Sequence, residues 1–180
     1  MTIRQARASD AVQIAEIYAP YVRDTAISFE DVPPTENELA ARIAARWPMH
    51  PWLIEEDQAG RIAGYAYAAP YRERRAYQWV CDVSVYVRGD AQGGGVGRRL
   101  YGRLFDLLIA QGYTAAYGGM TLPNPASAAL HERFGFERFA IYEHVGFKLG
   151  AWRSVGWWRR DLAPRQTPQP DIIPLTELHL

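Results

Sequence analysis

The stretch that decides the fold is Val85-Tyr86-Val87-Arg88-Gly89-Asp90-Ala91-Gln92-Gly93-Gly94-Gly95-Val96-Gly97-Arg98-Arg99. An apolar strand runs into a glycine cluster. A helix leaves it, its buried stripe marked by Leu100, Leu104, Leu107 and Leu108 and its end by Gln111. Glycines at such a junction let backbone N–H groups crowd around an anion at the helix N-terminus. Side chains would block that approach, and some φ angles there are positive. Residues 114–121 read as the next strand, so the centre of the chain is a strand–loop–helix–strand unit.

Toward the N-terminus, residues 2–6 predict a strand and Ser9-Asp10 a helix N-cap. Val12, Ile14, Ala15, Ile17, Tyr18 and Val22 then follow helical spacing to about Arg23, with Pro20 expected to bend or shorten the helix. Thr35 with Glu38 forms a capping box for a second helix, to about Trp47. Residues 52–56 and 61–69 predict two strands joined by a tight turn. Tyr65-Ala66-Tyr67-Ala68 alternates large and small side chains, as a strand with two unlike faces would. Residues 77–87 predict the longest strand. On the C-terminal side, Asn124 caps a helix running to Phe134, closed by Gly135. Aromatic-rich strands follow over 136–147 and 151–160. The order β-α-α-β-β-β-α-β-α-β-β predicts an α/β (α+β) domain with a mixed sheet over 1–162, and a Pro-rich tail over 163–180.

The chain has 180 residues, with twenty Lys+Arg against twenty Asp+Glu, and no net charge. A general nucleic-acid binder would carry a basic excess. Hydrophobic residues at 48% supply a full core and exclude a disordered chain. The single cysteine, Cys81, excludes an internal disulfide framework and a cysteine-based metal cage. No apolar run approaches the ~20 residues that span a bilayer, and MTIRQARASD has no apolar core of a secretion signal. The expectation is a soluble, cytoplasmic protein without membrane or nucleic-acid partners. Lys148 is the one lysine among the twenty basic residues.

The glycine cluster is not a Walker A loop, because Arg98-Arg99 stands where Lys-Ser/Thr is needed. Nor does it fit a dinucleotide fingerprint: the third glycine position is Arg98 or Leu100, depending on the start. A plain strand-to-helix connection accounts for it equally on its own. What it does match is Gln-x-x-Gly-x-Gly, on Gln92, Gly95 and Gly97. This resembles the acetyl-CoA pyrophosphate loop of the GNAT N-acetyltransferase superfamily. Asn124-Pro-Ala-Ser-Ala-Ala-Leu-His-Glu-Arg-Phe-Gly-Phe136, one strand later, resembles the superfamily's Asn-capped helix beside the cofactor. Two motifs in the right order weigh more than either alone.

A closer resemblance, to the phosphinothricin and methionine sulfoximine acetyltransferases, extends over nearly the whole globular length. It rests on Ile27-Ser28-Phe29 with Pro33, Pro51-Trp52-Leu53, Ala63-Gly64-Tyr65-Ala66-Tyr67, Ala76-Tyr77-Gln78-Trp79, Val85-Tyr86-Val87, Leu122-Pro123-Asn124, Leu130-His131-Glu132 and Gly156-Trp157-Trp158-Arg159-Arg160-Asp161. The resemblance implies a GNAT fold, a mostly antiparallel seven-stranded sheet flanked by about four helices. It implies acetyl transfer from acetyl-CoA, without a metal, to the α-amine of a small glutamate-like amino acid in a ternary complex. Resistance to antibiotics or herbicides of that kind is the associated role. Many superfamily members carry a tyrosine at the position of His131.

By that resemblance Asp82 and His131 are the catalytic candidates. Relatives usually have glutamate at the position of Asp82, one methylene longer, which favours relay through water over direct proton abstraction. His131 has three candidate roles: orienting Asp82, relaying the proton, or protonating the departing thiolate. Phe29, Arg72, Arg74, Arg75, Tyr77 and Tyr86 are the implied substrate contacts. Val85, Tyr86, Val87, Gln92, Gly93, Gly94, Gly95, Val96, Gly97, Arg98, Asn124 and Arg133 are those for acetyl-CoA. Relatives are commonly homodimers, with late strands closing the site and Lys148 reaching in from the neighbouring subunit.

The residues themselves add physical reasons. A period of two puts Asp82, Ser84 and Tyr86 on one strand face and Cys81 on the other, which makes Cys81 core and not a nucleophile. An ordinary aspartate, at ~3.9, is a weak base, so desolvation must raise its pKa or a water chain must carry the proton. Backbone N–H groups near Val85-Tyr86 are candidate oxyanion donors. Arg98-Arg99 offers cations for phosphates, and Arg72, Arg74 and Arg75 offer bidentate contacts to a carboxylate or phosphinate. Two other hypotheses stand beside this one: a GNAT acetylating peptide or protein amines, and a non-catalytic acyl-CoA sensor.

Overall fold

The computed structural model describes residues 1–178. Its elements in chain order are β1 (Thr2–Gln5), α1 (Ala11–Arg23), α2 (Glu36–Arg46), β2 (Trp52–Glu56), β3 (Ile62–Pro70), β4 (Val80–Val87), α3 (Val96–Gln111), β5 (Ala115–Thr121), α4 (Pro125–Arg133), β6 (Glu137–Lys148) and β7 (Ala151–Asp161). The seven strands form one sheet in the order β1-β2-β3-β4-β5-β7-β6. Every neighbouring pair is antiparallel except β4 with β5. That is the predicted α/β architecture and element order.

Helices cover both faces. Leu100, Tyr101, Leu104, Phe105 and Leu108 of α3 pack on Ala66, Ala68, Cys81, Val83 and Ala116. On the other face Ile14, Ile17, Leu39 and Ile43 of α1 and α2 pack on Trp52, Ile54 and Tyr65. The Tyr-Ala alternation of β3 thus has a physical purpose. Its alanines let α3 approach the sheet, while its tyrosines fill the wider gap beneath the helix pair.

The feature that positions the site is a parting of strands. β4 and β5 pair only from Val80–Asp82 to Ala115–Tyr117. Beyond Asp82, β5 continues against β7 alone through Thr121 and β4 against β3 alone through Val87. A wedge opens between them, and the unpaired edge of β4 must be satisfied by something other than β5.

α1 ends at Arg23 as the spacing predicts, with Pro20 inside it and Asp24 N–H closing on the Pro20 carbonyl. Several local expectations are corrected. Asp10 does not cap α1. Its carboxylate accepts from Arg7 N–H and from the Arg4 guanidinium, so a stronger partner has taken the cap. The strand expected from residue 77 begins at Val80, because Arg75–Tyr77 forms a 3-10 turn. Lys148 does not reach outward. Its ammonium is buried in its own chain and donates to the carbonyls of Val22 and Glu30, tying β6 to the loop after α1. After β7 the chain returns along the molecule: Ile172 is buried, Ile173 N–H donates to Gln111 O, and Trp79 Nε1–H donates to Pro170 O.

Candidate active site

The glycine cluster folds as its composition requires. Gly93 and Gly95 both have φ of +77°, a left-handed conformation that disfavours any side chain, and Gly95 is the N-cap of α3. The first N–H groups of α3 are thereby left without intrahelical partners and face outward at the positive end of the helix. Gly97 is needed for space, since a Cβ there would stand 3.2 Å from Leu130 Cδ2. Beneath the loop, Arg99 donates both its Nε and an Nη to the fully buried Glu55 of β2, at 3.0 and 2.6 Å, and its other Nη to Gly94 O at 2.9 Å. This ion pair, buried at its glutamate and open to solvent at its arginine, pins the loop to the sheet.

The wedge and the loop together border a cleft of about 520 Å³, closed on its far side by α4 through Asn124, Ser127 and Leu130. Asn124 Oδ1 accepts from Ser127 N–H at 3.1 Å, so α4 starts as predicted. The cleft is polar at the α3 end, with the amides and Arg98, and apolar along Ile27, Val85, Val87 and Leu130. It fits a long ligand with an anionic head and a flexible apolar arm. Backbone direction is set by alternation. Arg88 N–H is given to Ala63 O of β3, so Tyr86 N–H also faces β3, and those of Val85 and Val87 face the wedge.

At the apex of the wedge stands Asp82, the last residue of β4 paired with β5. Its Oδ1 is buried without a hydrogen-bond partner. Burial pushes the carboxyl pKa up to about 7, with the Arg72 guanidinium pulling weakly the other way. A buried, unpartnered carboxyl that titrates near neutrality is equipped to take a proton. Beside it opens a pocket of about 710 Å³ lined by Arg46, Tyr71, Arg72, Arg74 and Tyr77. Arg72 lies over the Tyr71 ring, 4.2 Å from its centroid, and Tyr71 stacks on Tyr117, the β5 partner of Asp82.

The model of the acetyltransferase (GNAT) family matches residues 12–136. The chain belongs to that family. Phosphinothricin N-acetyltransferase of Streptomyces viridochromogenes is 34% identical over 98% of this acetyltransferase and 95% of its own length. The L-methionine sulfoximine/L-methionine sulfone acetyltransferase of Salmonella typhimurium is 34% identical over 93% and 98%. Among solved structures, a phosphinothricin acetyltransferase from Sinorhizobium meliloti in complex with AcCoA superposes with a TM-score of 0.88, at 31% identity, over 97% of this chain and 96% of that one.

In this acetyltransferase the structure brings together Arg72, Arg74 and Tyr77 at one pocket, with Asp82 near enough to feel the Arg72 charge, and Val85, Tyr86, Val87, Gln92, Gly93, Gly95, Val96, Gly97, Arg98 and Asn124 along one cleft. Other expected residues lie elsewhere. Phe29 stacks over Gly146 of β6, where a Cβ would collide with its ring, and lines neither space. Arg75 turns toward Asp171 of the returning chain, 4.0 Å away. Gly94 gives its carbonyl to Arg99, and Arg99, locked to Glu55, is not available to phosphates. Arg133 is exposed on α4 and does not line the cleft.

His131 is the largest correction. Its ring packs against Gly118, the residue after Tyr117, and therefore on the sheet face opposite Asp82. Nδ1 lies 2.8 Å from Ser127 O, which can only accept, so Nδ1 carries the proton. Nε2 then accepts from Tyr101 O–H at 3.1 Å. Burial pulls the imidazole pKa down, against the Ser127 carbonyl, which raises it. With the sheet between them, the ring does not orient Asp82. Sequence reasoning missed Tyr21 and Ile27 in the cleft and Arg46 in the pocket. Tyr21 donates to Val87 O at 2.6 Å and receives Gln92 Nε2–H at 3.0 Å, which joins α1 to the glycine loop.

Cys81, as expected, is core: its thiol is buried and burial pushes its pKa up. No helix among the described residues is long and apolar enough to cross a membrane.

Proposed function

We propose that this acetyltransferase moves the acetyl group of acetyl-CoA to the α-amine of a small glutamate-like amino acid, of the phosphinothricin or methionine sulfoximine/sulfone class. The observation that carries the reading is the buried, unpartnered Asp82 Oδ1 at the apex of the wedge, within reach of the Arg72 charge that borders the pocket. Acetyl-CoA, lying along the cleft, supplies the activated acyl group. The α3 amides with Arg98 hold its phosphates, and Ile27, Val85, Val87 and Leu130 hold its arm. Val85 N–H, unpaired on the wedge side, donates to the acyl oxygen as negative charge develops there.

Arg72 takes the α-carboxylate, since its charge is the one that reaches Asp82 and the carboxylate lies beside the amine. Asp82 Oδ1 accepts the ammonium proton, directly or through one water, and the free amine attacks the thioester carbon in the orientation that both sites impose. The C–S bond then breaks, and the CoA thiolate leaves with the second proton, shed by the new amide nitrogen. His131 is a positioning residue: with Tyr101 and Gly118 it seats α4 against the sheet and so sets the cleft wall. A cytoplasmic location follows from the use of acetyl-CoA and free amino acids.

The outer part of the late hairpin exposes Phe139, Tyr142, Val145, Phe147 and Trp152. An apolar surface of that extent is unusual on a monomer. We read it as the face that a second copy covers in a homodimer, and light scattering at micromolar concentration gives the mass.

Thiol release from acetyl-CoA with phosphinothricin, methionine sulfoximine, methionine sulfone and a peptide amine tests the reading. It predicts turnover with the small analogues. Turnover with the peptide alone, or acetyl-CoA binding without any turnover, refutes it.

A further inference from the structure

We propose that a second chamber, behind the arginine-bordered pocket, is the subsite for the oxygens at the far end of the substrate side chain, held by Arg46 and Trp52. The inference rests on the function proposed above and deepens it. The chamber measures about 210 Å³ and lies under α2, against β2 and β3. Arg46, the last residue of α2, lines both this chamber and the 710 Å³ pocket, so the two spaces meet at its side chain.

Two buried polar atoms on the chamber walls have no hydrogen-bond partner, Arg46 Nε and Trp52 Nε1. Both are donors and neither can accept. Buried donors of that kind are rare unless an acceptor arrives from elsewhere. The acid on the chamber wall is already used. Glu30 receives Arg42 at 2.8 and 3.0 Å and Tyr18 O–H at 3.0 Å. Arg46 makes no ion pair within 4 Å, so among the described residues its charge is the uncompensated one in this chamber. The occupant must therefore be rich in acceptors and preferably anionic.

Placement agrees. Ala69 of β3 is the register partner of Asp82, Tyr67 lies two residues further on the same face, and Trp52 of β2 is the partner of Tyr67. At about 4.8 Å between strands and 3.4 Å per residue, the chamber wall begins roughly 5–10 Å from the base. An amino acid with its amine at Asp82 reaches that far with its side chain. The walls along the way are flat: Trp52 and Tyr67 stack with centroids 4.3 Å apart. Aromatic faces suit a methylene arm and exclude water from the donors at its end. Phosphinate, sulfoximine, sulfone and carboxylate all present two or more acceptors there, and a thioether presents none of comparable strength.

The test compares phosphinothricin with L-methionine, whose arm ends in a thioether, in the native chain and in Arg46→Gln, Arg46→Lys and Trp52→Phe. The readout is the ratio of kcat/KM for phosphinothricin to that for L-methionine. Arg46→Gln lowers that ratio about 30-fold, mostly through KM, as expected for loss of a charge-assisted contact. Arg46→Lys keeps the charge but not the fork and falls between. Trp52→Phe keeps a ring in the wall and lowers the ratio about 5-fold. Acetyl-CoA affinity, titrated in parallel, identifies any variant that has lost its fold, and the remaining two then carry the test. An equal loss for both amino acids in a folded Arg46 variant overturns the subsite while leaving the proposed function standing. A native chain that acetylates neither phosphinothricin nor a methionine derivative overturns both.

Discussion

Replacing Asp82 by asparagine keeps the shape of the side chain and removes its titration. Burial holds the native carboxyl at about 7, against 3.8 for a solvated aspartate. The sign follows from proton counts. Between these values the folded chain holds a proton that the unfolded chain has lost, so stability is full below pH ~4 and declines as pH rises through about 7. The decline runs at about 1.4 kcal/mol per pH unit over some three units, about 4 kcal/mol in all. The Asp82→Asn variant escapes it. For a chain of this length, each kcal/mol moves Tm by about 2–4 °C. Melts of the two proteins from pH 4.5 to 8.5 therefore diverge, with Asp82→Asn gaining roughly 10 °C at the alkaline end relative to the acid end. All other titrations are common to both and cancel. A difference in Tm that stays constant across the range would show that Asp82 does not titrate there, and would remove the buried base from the mechanism.

Other consequences are local. Arg99→Ala leaves the buried Glu55 without its partner and costs about 3 kcal/mol in urea unfolding. A loss below about 0.5 kcal/mol would mean the pair does not pin the glycine loop. Gly118→Ala puts a Cβ 2.6 Å from His131 Nε2 and lowers stability by about 1–3 kcal/mol in the same assay. Arg98→Ala, which removes the exposed cation of the cleft, raises KM for acetyl-CoA about 10-fold while the amino-acid KM stays put. The reverse pattern would reassign that arginine.

The parts of the fold that were legible in the sequence are those whose determinants are local. Thr35 and Glu38 cap α2 through their own hydrogen bonds, and the Tyr-Ala alternation in β3 reports two unlike neighbours before either is known. Gly93 and Gly95 are where a left-handed backbone is needed, whatever surrounds them. Pro20 is tolerated inside α1, whose expected end at Arg23 holds, because its missing N–H costs one hydrogen bond that the buried stripe of the helix outweighs.

The cleft-lining residues of the glycine loop were readable for the same local reason. Arg98 and Arg99 are neighbours in sequence, yet one faces the cleft and the other is claimed by Glu55, forty-four residues away. Arg75 and Phe29 likewise found long-range partners in Asp171 and Gly146. His131 was read with Asp82 although the sheet separates them, since no periodicity in α4 reveals which face of a sheet the helix covers. The chamber donors Arg46 and Trp52 carry no motif at all. They stand out only once every neighbouring acceptor has been assigned.

The central claim is that Asp82 is the base for acetyl transfer to an amino acid. Its most direct test is kcat against pH for phosphinothricin acetylation, in the native chain and in Asp82→Asn. The account predicts that native kcat rises through about pH 7 to a plateau, and that the variant loses about 10²–10³ in kcat together with that inflection while still binding acetyl-CoA. A variant that keeps the native kcat and the same inflection would contradict it.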